Sequence, residues 1–266
     1  MTVLCVIPAR YASTRYPGKP LVGLRGATGE TRSLIERTWA AAQDVPEFDA
    51  VCVATDDDRI AEAARAFGAD VRMTSSEARN GTERCAEVLA QLDEAPEMIV
   101  NLQGDAPLTP PWFLSDLVAG LRAAPDFGAA TPVLRCDGET LAALRADRAA
   151  GRVGGTTAVF GADGRALYFS KEVVPYTAGG YDAAADTPVF HHVGVYAYRP
   201  DALSAYTAAG PGPLETNEGL EQLRFLETGT PVLCVEVDAR GRRFWELNNP
   251  EDVPRIEAML AEMKMA

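Results

Sequence analysis

The sequence predicts an α/β fold with a mostly parallel central sheet, flanked by helices, and a smaller strand-rich lobe. Three observations predict it. Short apolar runs alternate with helical patterns through the first half of the chain. Those runs are continuously apolar rather than alternating, as strands covered on both faces are. From about residue 136 the pattern changes to short strands around a glycine-bounded turn. With 266 residues, 47% of them hydrophobic, the chain reads as one domain over 1–266. The smaller lobe falls at about 136–200.

The elements follow in order. "TVLCVIP" (2–8), "AVCVAT" (50–55), "MIVNLQ" (98–103) and "AATPVL" (129–134) read as strands. In 80–92, Cys85, Val88, Leu89 and Leu92 share one helical face. A second helix begins near Pro110 and a charged one covers 139–149. "TTAVF" and "ALYF" flank Gly161–Gly164 as a hairpin. The segment 177–188 reads as a polar loop and 189–199 as a single strand. Helix (214–227) and strand (231–237) precede a final helix carrying Ile256, Met259, Leu260 and Met263 on one side. Asn249 is expected to cap that helix with Pro250 at its first position, although Pro254 fits poorly inside it.

Composition limits the function. A net charge of −13 excludes nucleic acid as the main partner, because a phosphate backbone needs a positive footprint. No run approaches the roughly 18–20 apolar residues of a membrane span, and no secretory pattern opens the chain, so no membrane partner is expected. Five scattered cysteines, Cys5, Cys52, Cys85, Cys136 and Cys234, read as buried thiols and point to the cytoplasm.

Against that acidic background, "IPARYASTRYPGKPL" (7–21) is cationic. It follows a strand, where backbone N–H groups gather at the carboxyl edge of a parallel sheet. Arg10, Arg15 and Lys19 add charge, and Ser13 and Thr14 add donors, which together suit a triphosphate. The loop lacks the P-loop spacing. In "NLQGDAPL" (101–108), Asp105 ends a strand, where a carboxylate suits Mg2+ or simply a turn. Lys171 in "LYFSKEVVPY" could face an anion or only solvent. His191 and His192 point to opposite strand faces, which argues against a metal site. In "PLETNEGLEQLRFLE", Glu215, Glu218, Glu221, Gln222 and Arg224 read by default as a solvated face.

Together these segments resemble the 3-deoxy-manno-octulosonate (Kdo) cytidylyltransferases. "IPARYASTRYPGKPL", "VATDDDRI", "MTSSEARNGTERCAEV", "NLQGDAPL", "ALYFSKEVVPY", "HHVGVYAYR", "PLETNEGLEQLRFLE" and "NNPEDV" match that family's blocks in order, from residue 3 to about 262. The resemblance implies a Rossmann-like nucleotidyltransferase fold, a homodimer using the smaller lobe, and CMP transfer from CTP to an ulosonic acid with Mg2+ and release of pyrophosphate. The product would serve lipopolysaccharide biosynthesis. By the same resemblance, Arg10, Ser13 and Lys19 hold the triphosphate, and the charge of Arg15 in the same loop is expected to join them. Thr82 and Gln103 read cytosine and ribose, and Asp105 holds magnesium. Lys171, His192, Glu221 and Gln222 meet the sugar acid.

The chain departs from the family's pattern at four places. Asn248 stands where the family has a second metal-binding aspartate, and Lys171 where it has an arginine. Thr157 replaces a lysine, and "GATGETRSLIERT" replaces a shorter turn. The nucleotide side therefore reads as retained and the acceptor side as altered. Alternatives are CMP transfer to a different anionic acceptor, such as another sugar acid, an amino-sugar analogue or a phosphonate, or a degraded nucleotide-binding protein.

Overall fold

The computed structural model describes residues 2–13, 16–153, 155–242, 245–247 and 249–265. The chain forms two compact units, one of residues 1–115 with 239–266 and the other of 116–238.

The first unit opens with β1 (Val3–Ala9), then β2 (Gly23–Arg25), β3 (Thr31–Ser33), α1 (Leu34–Gln43), β4 (Ala50–Thr55), α2 (Asp58–Ala66), β5 (Asp70–Met73), α3 (Gly81–Leu89) and β6 (Met98–Leu102). Helix α4 (Pro111–Ala123) carries the chain into the second unit. The strands β5, β4, β1 and β6 pair in that order, all parallel. Counted along the chain, the order is third, second, first, fourth. Parallel strands need crossovers, and α1, α2 and α3 supply them. The direction of winding reverses between β1 and β6, which opens a crevice at the carboxyl edge of that pair.

The helix starts follow from local chemistry. Ser33, Asp57 and Asn80 cap α1, α2 and α3 by accepting from the backbone N–H groups of Glu36 (3.3 Å), Arg59 (3.0 Å) and Glu83 (2.8 Å). The expected helix over 80–92 is thus a capped helix that stops at Leu89.

The second unit contains β7 (Ala129–Asp137), α5 (Gly138–Ala149), β8 (Thr157–Phe160), β9 (Ala166–Ser170), β10 (Asp186–His192), β11 (Val195–Tyr198), α6 (Pro200–Ala209), α7 (Pro213–Glu218), α8 (Leu223–Glu227) and β12 (Val232–Glu236). The last helix, α9 (Asp252–Glu262), belongs to the first unit. Strand β12 runs parallel to β7, whereas β10 and β11 pair antiparallel with it. The hairpin β8–β9 forms as its glycines predict, with Gly164 at φ 78.

Three expectations need correction. The single strand over 189–199 is two strands. His192 pairs with Val133, and Ala197 with Ala130, so five steps along one strand meet three along β7 and two residues bulge out. Pro132 is the cause: it has no N–H to give to a ladder. The Thr131 hydroxyl fills the gap, donating to the Val195 carbonyl at 2.8 Å. The helix over 214–227 breaks into α7 and α8 at Gly219, whose φ of 62 ends α7. The final helix starts at Asp252 rather than after Asn249. Pro254 then lies in the first turn, where a missing N–H costs nothing. Helix α9 buries Ile256, Met259 and Leu260 against Leu24, Leu34, Leu108 and Leu247.

The face read as solvated is not solvated. Glu215, Gln222 and Arg224 are buried. Arg224 grips the Glu215 carboxylate through Nε at 2.6 Å and through its second terminal nitrogen at 2.7 Å. It also lies over the Tyr206 ring at 3.8 Å. The two-pronged pair ties α8 to α7 across the Gly219 break. Replacing Arg224 by Met leaves a buried carboxylate without its cation, which costs about 3–5 kcal/mol. Urea unfolding should show that loss, and adding Glu215→Gln should restore part of it.

Candidate functional site

In the first unit the sheet edge gathers most of the predicted nucleotide residues. Register places Ala9 opposite Thr55 and Val6 opposite Asn101, so β1, β4 and β6 present their carboxyl ends together. Arg10 leaves β1 exposed. The Ser13 hydroxyl accepts the Tyr16 N–H at 3.4 Å, and the Gly18 N–H donates to the Tyr11 carbonyl at 2.9 Å, closing the loop. Arg15 and Asn248, both predicted site residues, lie outside the described residues.

Lys19 and Asp105 come from the loops after β1 and β6. They meet across the switch point, with Nζ 2.6 Å from Oδ2. Nothing local to either loop signals this pairing. The Asp105 carbonyl also accepts the Leu247 N–H at 2.9 Å, so the segment before α9 runs beside the aspartate. Gln103 and Gly81 approach closely: a Cβ on Gly81 would fall 2.7 Å from the Gln103 amide nitrogen and 3.0 Å from that of Asn101. Glycine is needed there to let α3 reach the end of β6. Thr82, next in the chain, is fully buried in the first turn of α3.

Residues beyond the predicted set support this edge. The Tyr11 ring packs on Gly18, where a Cβ would be 3.0 Å away. Its other neighbour is the Arg59 guanidinium, 3.3 Å from the ring centroid. Arg59 is held by Asp57 at 2.6 Å. Buried Arg84 pairs with Asp56 at 3.1 Å and donates to the Thr74 hydroxyl. "DDDR" and "TER" carried the charges, but their pairing depends on the sheet register that sequence does not show.

The predicted acceptor residues lie in the second unit. His192 is buried between Phe169 and Tyr196, at ring distances of 5.1 and 5.5 Å. Gln222 is buried and accepts the Tyr196 hydroxyl at 3.2 Å. Among the described residues, His192 Nε2 and Gln222 Nε2 have no hydrogen-bond partner. Two such groups in an aromatic surround are poised for a polar ligand. Glu221 is half-buried. Lys171 follows β9, its backbone N–H held by Glu218 at 3.0 Å. The Thr157 hydroxyl donates to the Glu172 carbonyl at 2.7 Å and accepts the Val174 N–H at 3.2 Å, so it serves the chain's own backbone.

Burial pushes the His192 imidazole down to about 3, helped by its neighbour, and that of His191 to about 4. Both are neutral in the folded protein at neutral pH, and both take up protons when unfolding frees them, below about pH 6.5. Their stabilising contribution is therefore complete above that pH and lost as pH falls towards 4 and then 3. Between pH 7 and 5 the unfolding free energy should fall, with a limiting slope of about 1.4 kcal/mol per pH unit for each histidine. His192→Gln should flatten the profile measured by urea titration at each pH.

All five cysteines are free and buried, and no helix among the described residues is long and apolar enough to cross a membrane. A family model described as cytidylyltransferase matches residues 4–236. The chain is 45% identical to a 3-deoxy-manno-octulosonate cytidylyltransferase of Maricaulis maris, covering 98% of each chain. It is 38% identical to the mitochondrial enzyme of that name from Arabidopsis thaliana, covering 99% of this chain and 85% of the plant protein. A solved structure of CMP:2-keto-3-deoxy-manno-octonic acid synthetase complexed with CTP superposes with a TM-score of 0.83, at 31% identity, covering 99% of this chain and 100% of that one. A 4-diphosphocytidyl-2C-methyl-D-erythritol synthase from Anaerococcus prevotii, at 16% identity and a TM-score of 0.58, shares the fold. The reversal beside β1, the loop that follows it and kinship along the whole chain agree: this is a cytidylyltransferase, and it belongs to the 3-deoxy-manno-octulosonate cytidylyltransferase family.

Proposed function

We infer that the protein transfers CMP from CTP to 3-deoxy-D-manno-octulosonate, or to a closely related ulosonic acid, and releases pyrophosphate. The observation that carries this reading is the full-length likeness to a synthetase solved with CTP, combined with Lys19, Gln103 and Asp105 at the edge of the β1–β6 switch. An acceptor hydroxyl oxygen attacks the α-phosphorus and gives up its proton to solvent. The bond from that phosphorus to the bridging oxygen breaks, and the electron pair leaves with pyrophosphate. Arg10, Arg15 and Lys19 neutralise the leaving group, with Ser13 as an added donor. Thr82 and Gln103 border the cytidine. Lys19 exchanges its carboxylate partner for phosphate oxygen when the nucleotide binds.

Magnesium is the proposed metal, with Asp105 and Asn248 as its protein ligands. Asp105 fits it: a hard, partly exposed carboxylate beside the triphosphate loop suits an ion that takes its other oxygens from phosphates and water. When bound, the ion would neutralise and polarise the phosphates. Among the described residues no cluster of three His, Cys, Asp or Glu side chains could cage a metal, which favours an ion carried in with the nucleotide. His192, Glu221, Gln222 and Lys171 would take the acceptor. Because His192 is neutral, it offers the acceptor a hydrogen bond and no charge.

A second reading, CMP transfer to another anionic acceptor, draws on Lys171 and Thr157. Lysine keeps charge but loses the planar fork that grips a carboxylate, and Thr157 is occupied by backbone. We further propose a homodimer in the cytoplasm that feeds lipopolysaccharide biosynthesis. Exposed Val153, Leu167 and Tyr176 within the smaller lobe support the dimer.

Pyrophosphate release with CTP and a panel of sugar acids should single out the Kdo class, and CTP should outperform ATP, GTP and UTP at saturating acceptor. Equal rates with ATP would reject the nucleotide assignment. Asp105→Asn should lower single-turnover rate by about 100-fold or more, the scale of losing a charge-stabilising group, while CTP affinity falls far less. Near-normal turnover in that variant would move the metal elsewhere.

A further inference from the structure

We propose that Glu218 and Gly219 are positioning residues for the Lys171 ammonium, and act on the acceptor only through it. The proposal rests on the acceptor reading above.

The Glu218 carboxylate, at the end of α7, receives three donors from the end of β9. They are the Ser170 hydroxyl at 2.7 Å, the Lys171 backbone N–H at 3.0 Å and the Tyr168 hydroxyl at 3.4 Å. Ser170 in turn accepts the Glu172 N–H at 3.0 Å. Desolvation, and then the charge of Glu218, push the Tyr168 phenol up, which keeps it a donor. The strand exit that carries Lys171 is therefore fixed to α7 by its backbone and by the side chains on either side.

The lysine side chain then turns back over the next residue of the same helix end. A Cβ on Gly219 would fall 2.9 Å from Lys171 Nζ. The ammonium thus occupies the volume that any other residue would fill. Gly219 is also left-handed at φ 62, with its N–H bonded to the Glu215 carbonyl at 2.7 Å. Its bare Cα serves two ends at once: it terminates α7, and it leaves room for the Lys171 ammonium. Lys171 forms no ion pair among the described residues.

The coupling is testable because Gly219 is argued to act only through Lys171. Asparagine tolerates the left-handed backbone, so Gly219→Asn adds the Cβ without breaking the helix end. With Kdo and CTP, Gly219→Asn should raise the acceptor KM about tenfold and leave the CTP KM within about twofold. In a Lys171→Met background the same change should add nothing further, since the two residues share one interaction. Glu218→Gln should also raise the acceptor KM selectively. Independent, multiplying effects of Gly219→Asn and Lys171→Met would overturn the proposal while leaving the acceptor assignment standing. So would an equal rise in both KM values in Glu218→Gln, which would mark a structural role. No pyrophosphate from the unaltered protein with Kdo would overturn both.

Discussion

Everything at the nucleotide edge depends on β1 being paired on both sides by parallel strands. One neighbour, β4, follows through a crossover; the other, β6, arrives only after β5 and α3 have been laid down on the far side. That order leaves the loops after β1 and β6 adjacent, with no helix between them. The acidic chain then places its cationic loop where no strand continues. Lys19 and Asp105 lie 86 residues apart in sequence yet touch, because both loops leave the same edge. The pair also answers the charge of Lys19 from inside the protein.

The second unit solves a different problem with similar means. Here several polar groups are buried or half-buried, and most of them are answered locally. Arg224 is matched by Glu215, Thr157 by the backbone after β9, and Glu218 by three donors. The groups left over, His192 Nε2 and Gln222 Nε2, stand out against that economy. Leaving a buried donor or acceptor unmade costs about 1–3 kcal/mol, so their persistence is better explained by a bound partner than by packing.

The α/β class was legible because continuous apolar runs and 3.6-residue spacing are local signals, and the hairpin at Gly161–Gly164 announced itself. The cationic loop after β1 drew notice by its charge alone. What failed was non-local. Pro132 sits in β7, but the break it causes appears in β10–β11, so nothing within 189–199 reveals it. The burial of Glu215, Gln222 and Arg224 was missed because alternating charge looks solvated until the partner geometry is known. Tyr11, Arg59 and Arg84 were missed for the same reason: a cation over a ring, or a guanidinium under a sheet, is set by register. The breaker Gly219 was in plain view, yet a glycine inside an amphipathic stretch reads as tolerated until its left-handed φ is seen.

The bulge opposite Pro132 has a consequence for how this chain can change over time. Strands alternate faces with a period of two. Because two residues are extruded at Val193–Gly194, β11 remains in phase with β7, and the Tyr196 and Tyr198 rings stay stacked at 5.9 Å. Had one residue been extruded, every side chain of β11 would face the other way, and Tyr196 would no longer stand beside Gln222. Insertions and deletions at this point are therefore filtered by parity: even ones are absorbed by the extruded loop, whereas odd ones invert the face that carries Tyr196 and Tyr198. Length here is a digital variable, while elsewhere on the surface it is a continuous one.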